Sequence, residues 1–564
     1  MTSDERALAT WLSERDDIAL ATVFATRGVN PAAGWGDFFD AAAALLDPAA
    51  VDRTLIGLPR GALAALARAD RTGLDPALAL ADDERIYDAV TDRLALLRDR
   101  HPDAFIDVIA VADPPVGGEA AAAERAFSAA GALADILLST LHASLSRTGA
   151  GPVSASDRKR LIDGGAIDTA EELEELVTAA EAAGLIEGVG REWIVTDAGE
   201  RWLEASTADR WAVIVHGLID ALPAGIRRGH GILPLSQWAD ARPLDPAWPG
   251  RADLLTRIAV RWGLAADDGS EPEWGASLRA GEALDTTTFA AQLPAEIDRV
   301  YLQADLTAIA PGPLAPALDV RLRRIARRES RAQASTYRFT AESLAAGMTE
   351  GETAEGISEF LTGLSLTGIP QPLAYLLEST ASRHGLVRVR VDAVTGRTHV
   401  ESTDAALLDA LAVDQALRPL GLVPTESGLV SRVARDAVYW ALADARYPVT
   451  ALDTAGSPEP VHRRTPPPVT RESGDAPARY ADLIAALRVS HDDDDDAAWL
   501  GRELDQAVRA RATVIVDVRL PDGSQRSFTL EATGLGGGRM RGLDRGADIE
   551  RTLPISSIVS VRPA

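Results

Sequence analysis

Apolar residues recur every three or four positions through most of the first 145 residues. "FFDAAAALLDPAAVDRTLIGLPRGALAALARA" shows the pattern: an apolar stripe broken by Pro and Gly where one helix stops and the next starts. It predicts an all-helical domain over 1–145. The pattern changes in "PVSASDRKRLIDGGAIDTAEELEELVTAAEAAGLIEGVGREWIVTDAGERWL". Ser154 or Ser156 can cap a first helix. Thr169 caps a second, with Glu172 three residues on to complete a capping box. Leu173, Leu176, Val177 and Ala180 give that helix one apolar face, and Gly184 ends it. "LIEGVGREWIVT" then alternates as two short strands around a Gly-containing turn.

Helix, turn, helix, hairpin is the order of a winged helix, expected over 146–205. Its second helix, the one that would read DNA, carries Glu171, Glu172, Glu174, Glu175 and Glu181 and no Arg or Lys. Carboxylates repel phosphate, so this helix is expected to pack on protein. A further helical layer follows over 206–296. Trp202, Trp211, Trp238, Trp248, Trp262 and Trp274 lie in or beside it and read as core anchors. A base-stacking platform would interleave them with more arginines.

Strands and helices mix over 297–450. A strand pattern, "DRVYLQADLTAIAPG", precedes a basic helix in "LAPALDVRLRRIARRESRAQASTYRFT". Leu318, Leu322 and Ile325 give that helix a buried stripe. Arg321, Arg323, Arg324, Arg327, Arg328 and Arg331 fill the rest, and Arg338 follows. From Asp319 to Arg338 seven Arg face one Asp and one Glu, a local charge of +5. These seven arginines are candidate phosphate contacts; pairing with carboxylates elsewhere in the fold is the open alternative. Thr340 and Thr353 read as N-caps of the next two helices. Residues 386–450 continue as a small α/β module. Residues 451–479 hold six prolines and no apolar period, and read as a Pro-rich linker. A last domain is expected over 480–564. It opens on the helix "YADLIAALRVS" and a run of five aspartates, 492–496, read as a solvated helix start rather than a metal site. Alternating strands follow, with Asp522 and Gly523 as a hairpin turn, and predict a small Sm/SH3-like β-barrel. Arg519, Arg526, Arg539, Arg541 and Arg551 would make a basic face, with Arg519, Arg539 and Arg541 the candidate nucleic-acid contacts.

Composition narrows the functions. The 564 residues are 46% apolar and 25% charged, ordinary for a globular protein, and the net charge is −27. Such a field opposes DNA over the whole surface and leaves only local basic patches to bind it. Without cysteine there is neither disulfide nor Cys-ligated zinc. The N-terminus lacks the basic start and apolar core of a signal peptide. The most apolar run, "AFSAAGALADILLSTLHASLS", is interrupted by Asp135, which favours a buried helix over a membrane span. A cytoplasmic location with no membrane partner is expected. The chain has a single lysine, Lys159, in "SDRKRLID". A P-loop needs GxxxxGK[ST], so there is no phosphate cradle here. No cofactor, metal or catalytic constellation is implied, and the expectation is a protein that is not an enzyme.

The segment 297–450 also carries a resemblance. Its steps are Pro311 and Gly312; Tyr337, Arg338, Phe339 and Thr340; Gly347; Ile357, Phe360 and Leu361; Leu364 and Ser365; Pro370; then His384 and Gly385 into a strand. This order resembles the N-terminal domain of XPB-type repair and transcription helicases. It is equally similar to the matching domain of the transcription-factor subunit that docks that helicase. The resemblance implies a non-catalytic helicase-associated domain, with an XPB-type helicase and DNA as partners. The closing strands, ending "RTLPISSIVSV", resemble a WYL domain, although the naming triplet is Arg539, Met540 and Arg541 here. The expected fold is therefore multidomain α+β: mostly helical, with a central winged-helix-like unit, a helicase-associated α/β module and a C-terminal small barrel. The expected function is a helicase accessory protein. A WYL-type winged-helix transcriptional regulator is the alternative.

Overall fold

In the computed structural model the described residues are 3–564, apart from 108–112, 150, 267, 331–334, 394, 454–455, 457–458, 460, 462–475, 493–499, 502–503, 506, 510, 521–523 and 564. Arg331, the Asp522–Gly523 turn, most of the 451–479 linker and the side chains of the aspartate run lie outside them. The fold is multidomain α+β, about half helical, and none of its described sheets closes into a barrel. No described helix is long and apolar enough to cross a membrane.

Short helices between residues 3 and 67 bury Leu8, Leu20, Phe24, Phe38 and Leu45 against one another. Asp16 and Asp37 cap two of them, their carboxylates accepting from first-turn N–H groups as side-chain caps do. A helix from far along the chain, Ala476–Asp492, joins this core. Its Tyr480, Leu483, Ile484 and Leu487 are buried there. The Tyr480 hydroxyl donates to the Val29 carbonyl at 2.8 Å, and Arg488 donates to the Ser13 carbonyl at 2.7 Å. Spacing in the sequence shows that this helix has a buried face; it says nothing of what covers it.

The second core is built on a long Ala/Leu-rich helix, α1 (Glu119–His142). It is followed by β1 (Leu145–Ser146), α2 (Ala155–Asp163), α3 (Ala170–Ala182), β2 (Ile186–Val189) and β3 (Glu192–Val195). The three strands form one antiparallel sheet in the order β1-β3-β2. Ser154 caps α2 and Thr169 caps α3. The expected capping box at Thr169 is incomplete: Glu172 accepts instead from the N–H of Asp168, at 2.8 Å. The reason lies in the neighbouring helix α4 (Trp248–Arg261), whose Arg261 also binds Glu172, at 3.2 Å. Glu175, 3% exposed, takes Arg257 at 2.8 Å and Arg261 beside it. The acidic helix therefore packs on protein. All six tryptophans of the layer are buried. Trp211 stacks on Phe289 at 3.8 Å, and the indole N–H groups of Trp211, Trp238, Trp248 and Trp274 each donate to a backbone carbonyl.

The third core lies under a four-stranded antiparallel sheet. Its strands are β4 (Tyr301–Leu302), β5 (Thr307–Ala310), β6 (Arg327–Ser330) and β7 (Ser335–Arg338), in the order β4-β5-β7-β6. The helices α5 (Pro316–Ile325), α6 (Ala341–Thr349), α7 (Ala354–Leu364) and α8 (Gln371–Ala381) cover it. A five-stranded sheet over 387–451 follows, antiparallel except for one parallel pair, Val387–Val391 with Val449–Ala451. The two units touch where the Tyr439 hydroxyl donates to the Thr349 carbonyl.

The terminal strands are β8 (Thr513–Arg519), β9 (Gln525–Gly536), β10 (Arg539–Asp544), β11 (Ile549–Pro554) and β12 (Ile558–Pro563), ordered β11-β10-β9-β8-β12. The edge strands β11 and β12 are joined by only the 3₁₀ turn Ile555–Ser557. Laid flat, four strand spacings of about 4.8 Å would part the edges by roughly 19 Å, beyond the roughly 14 Å such a connection spans. The sheet must therefore curl, and bulges beside Ala532 and Asp517 bend it. Its edges do not pair, so the expected barrel is a curled open sheet.

Candidate nucleic-acid interface

The basic helix starts with Pro316 at its first turn and buries Leu322 and Ile325 in the third core, with Leu318 half-buried beside them, and Val320 in the second core. It ends where Ala326 turns extended, and the chain runs straight into β6. The described candidate arginines of this stripe thus divide between the helix, the edge strand β6 (Arg327 and Arg328) and the inner strand β7 (Arg338).

Most of them meet carboxylates. Arg321 forks onto both oxygens of Glu352 at 3.0 and 2.9 Å and lies over the Phe360 ring at 4.5 Å. Arg323 donates to Asp135 at 2.6 Å and stands 3.7 Å from Asp319. Arg328 donates to the other oxygen of Asp135. Arg324 is 3.9 Å from Glu204, and Arg338 binds Glu329. The hydrogen bond to Glu352 raises the Arg321 pKa, and that to Glu329 raises the Arg338 pKa. Burial works against the charge of Arg328, but Asp135 and Asp319 outweigh it and its pKa rises too. Tyr337 donates to Asp319; burial first, and Asp319 second, push its hydroxyl far above its usual range. Arg327 is exposed, and Arg324 and Arg338 are each more than two-fifths exposed. Among the described residues of the stripe these three are the most open to solvent.

The terminal sheet separates its arginines. Arg519, Arg539 and Arg541 alternate with buried Val518 and Met540 and so share the outer face. They do not cluster. Arg519 pairs with Gln525 at one end of β9 and Arg539 with Gly536 at the other, roughly 37 Å apart along the strand at ~3.4 Å per residue. Arg526 and Arg551 belong to the opposite face, where they flank the Phe528 ring at 5.3 and 4.9 Å. The single basic face expected from sequence is therefore two faces.

The residues that carried the resemblance are mostly structural. Phe339, Ile357, Leu361 and Leu364 are buried. Thr340 and Ser343 form a reciprocal capping box. A Cβ at Gly347 would lie 2.6 Å from Ile325 and 3.0 Å from the Arg324 carbonyl, so glycine lets α6 cross α5 closely. The partners that sequence reasoning missed are Asp135, Asp319, Glu204 and Glu352. For Asp135 a signal existed: it is the only formal charge in 126–146, and a lone carboxylate on a buried helix demands a cation. Among the described residues no group of acidic or histidine side chains is arranged to hold a metal ion.

No curated protein matches the chain. Residues 300–426, under a quarter of its length, match the sequence model of a family described as the helicase conserved C-terminal domain.

Proposed function

We propose that the chain is a helicase-associated accessory protein that has no motor of its own, docks an XPB-type repair helicase through residues 297–450, and touches DNA through a small set of exposed arginines. The observation that carries this reading is the helicase-family match over 300–426 in a sequence whose only lysine lies outside any phosphate-binding loop. Lys159 is exposed and pairs with Asp163 at 2.8 Å, four residues along its helix. The sheets of the matched region support it. Nucleotide sites of α/β motors lie at the carboxyl ends of mostly parallel strands. The sheets here are antiparallel but for one pair. The strand order β1-β3-β2, with α1, α2 and α3 around it, suits a winged helix whose would-be recognition helix serves as a protein contact instead of a DNA reader. That placement weighs against the WYL-type regulator reading, which needs the helix free.

DNA contact is tested by fluorescence anisotropy of labelled forked DNA at two salt concentrations. Because Arg324, Arg327 and Arg338 are the most accessible of the described stripe arginines, changing all three to Glu should weaken binding at least tenfold. It should also flatten the log–log salt slope by about 2.7, roughly 0.9 per contact. An unchanged slope removes the stripe from the interface.

A further inference from the structure

Asp135 lies in the middle of α1, 5% exposed, in a run of Ala, Leu and Ile. Nothing on its own helix calls for a charge there. Each of its two oxygens instead takes a guanidinium from the helicase-type unit: Oδ1 from Arg323 at 2.6 Å, and Oδ2 from Arg328. These arginines come from a helix and a strand that diverge at Ala326, so their convergence is no by-product of helical spacing. Two guanidiniums on adjacent oxygens of one small oxyanion is also the arrangement that holds a phosphate. Asp319 completes the cluster beside Arg323 and Tyr337. The buried guanidinium of Arg210 also lies within electrostatic reach of Asp135, Asp319 and Arg323, so the two carboxylates sit among three cations and both are engaged within the chain.

Two further ion pairs join the second core to this unit, one from α1 and one from the helix Asp197–Glu204, and both are longer and more exposed. Arg324 meets Glu204 at 3.9 Å, and His142 meets Glu350 at 3.4 Å. Exposed pairs of this kind contribute little. The seam between the second core and the helicase-type unit is thus closed by apolar packing, with Val320 of α5 buried in the second core, and by one buried ionic cluster with a weak polar rim.

We propose that Arg323 and Arg328 form an anion site for a nucleic-acid phosphate, which Asp135 fills from within the chain until the seam opens. The proposal rests on the reading of 297–450 as a nucleic-acid-facing unit and adds its regulation. When α1 moves away it takes the carboxylate with it. The freed pair then joins exposed Arg324 and Arg327 in one phosphate-tracking row.

Asp135→Asn tests this by removing the internal anion at nearly constant shape. Labelled forked DNA should bind the variant at least tenfold more tightly than wild type at low salt. The log–log salt slope should steepen by about two, roughly 0.9 for each arginine released. Adding Arg323→Gln and Arg328→Gln should return both quantities to the wild-type values. A folded Asp135→Asn protein with wild-type affinity and slope overturns the masked site; wild-type binding through the exposed arginines would then leave the proposed function standing. If Asp135→Asn does not fold, the otherwise wild-type chain carrying His142→Cys and Glu350→Cys answers the same question, since those are its only thiols. Bridging them with a short bis-maleimide should lower DNA affinity, and an affinity unchanged by bridging overturns the proposal.

Discussion

At the scale of single residues, close backbone approach and local ion pairs set the terms. Gly347 is one such point, because α6 crosses α5 there with no room for a side chain. Gly347→Ala should destabilise this unit by about 1–2 kcal/mol, overpacking outweighing the better helix propensity of alanine. The check is a downward shift of the corresponding transition in calorimetry. His142 adds a pH dependence. Its Nδ1 meets the Leu138 carbonyl at 2.7 Å, and its pKa is raised chiefly by the hydrogen bond to Glu350. A raised pKa stabilises the fold below the unfolded value near 6.5, and that stability is lost as pH climbs through the folded value. The ring is largely exposed, so the effect is discounted to about 0.5 kcal/mol or less. Wild type should melt slightly above His142→Gln at pH 5.5, and the two should coincide by pH 8. The N-caps Thr169, Thr340 and Thr353 were legible in the sequence because a cap is a local event within four residues, and the structure picks Ser154 over Ser156 for the remaining one. The box at Thr169 was not, since Arg261, which shares Glu172, is 89 residues away.

At the scale of elements, the helix Ala476–Asp492 ties the terminal sheet to the N-terminal helices. Tyr480 carries that contact, buried against Phe24 with its hydroxyl on the Val29 carbonyl. Tyr480→Ala should cost about 3–5 kcal/mol and free the helix, whereas Tyr480→Phe should cost only about 1 kcal/mol for the lost hydrogen bond. Hydrogen exchange in residues 17–46 would report it: protection should collapse in the Ala variant and persist in the Phe variant. Periodicity revealed the amphipathic helices and alternating strands, because both are read along a few turns or pleats. It could not assign partners. The stripe of α5 was legible as basic, yet that Asp135, 188 positions away from Arg323, neutralises two of its arginines depends on tertiary packing. The same limit explains the terminal arginines, whose separation follows from register in a curled sheet.

At the scale of the whole molecule, a net charge of −27 surrounds a few exposed guanidiniums, which favours contact with DNA only where those residues converge. The helicase-family match stops short of a quarter of the chain, and the remaining cores carry the matched unit against an acidic-helix packing layer and an Ala-rich helix. Under the proposed function the motor would sit on another chain. Its central claim is met most directly by isothermal titration of the full chain into a purified XPB-type helicase from the same organism. The account predicts a saturable 1:1 complex, lost when residues on the exposed surface of 297–450 are changed. Absence of heat and of co-migration at micromolar concentrations, with both proteins folded, would contradict it.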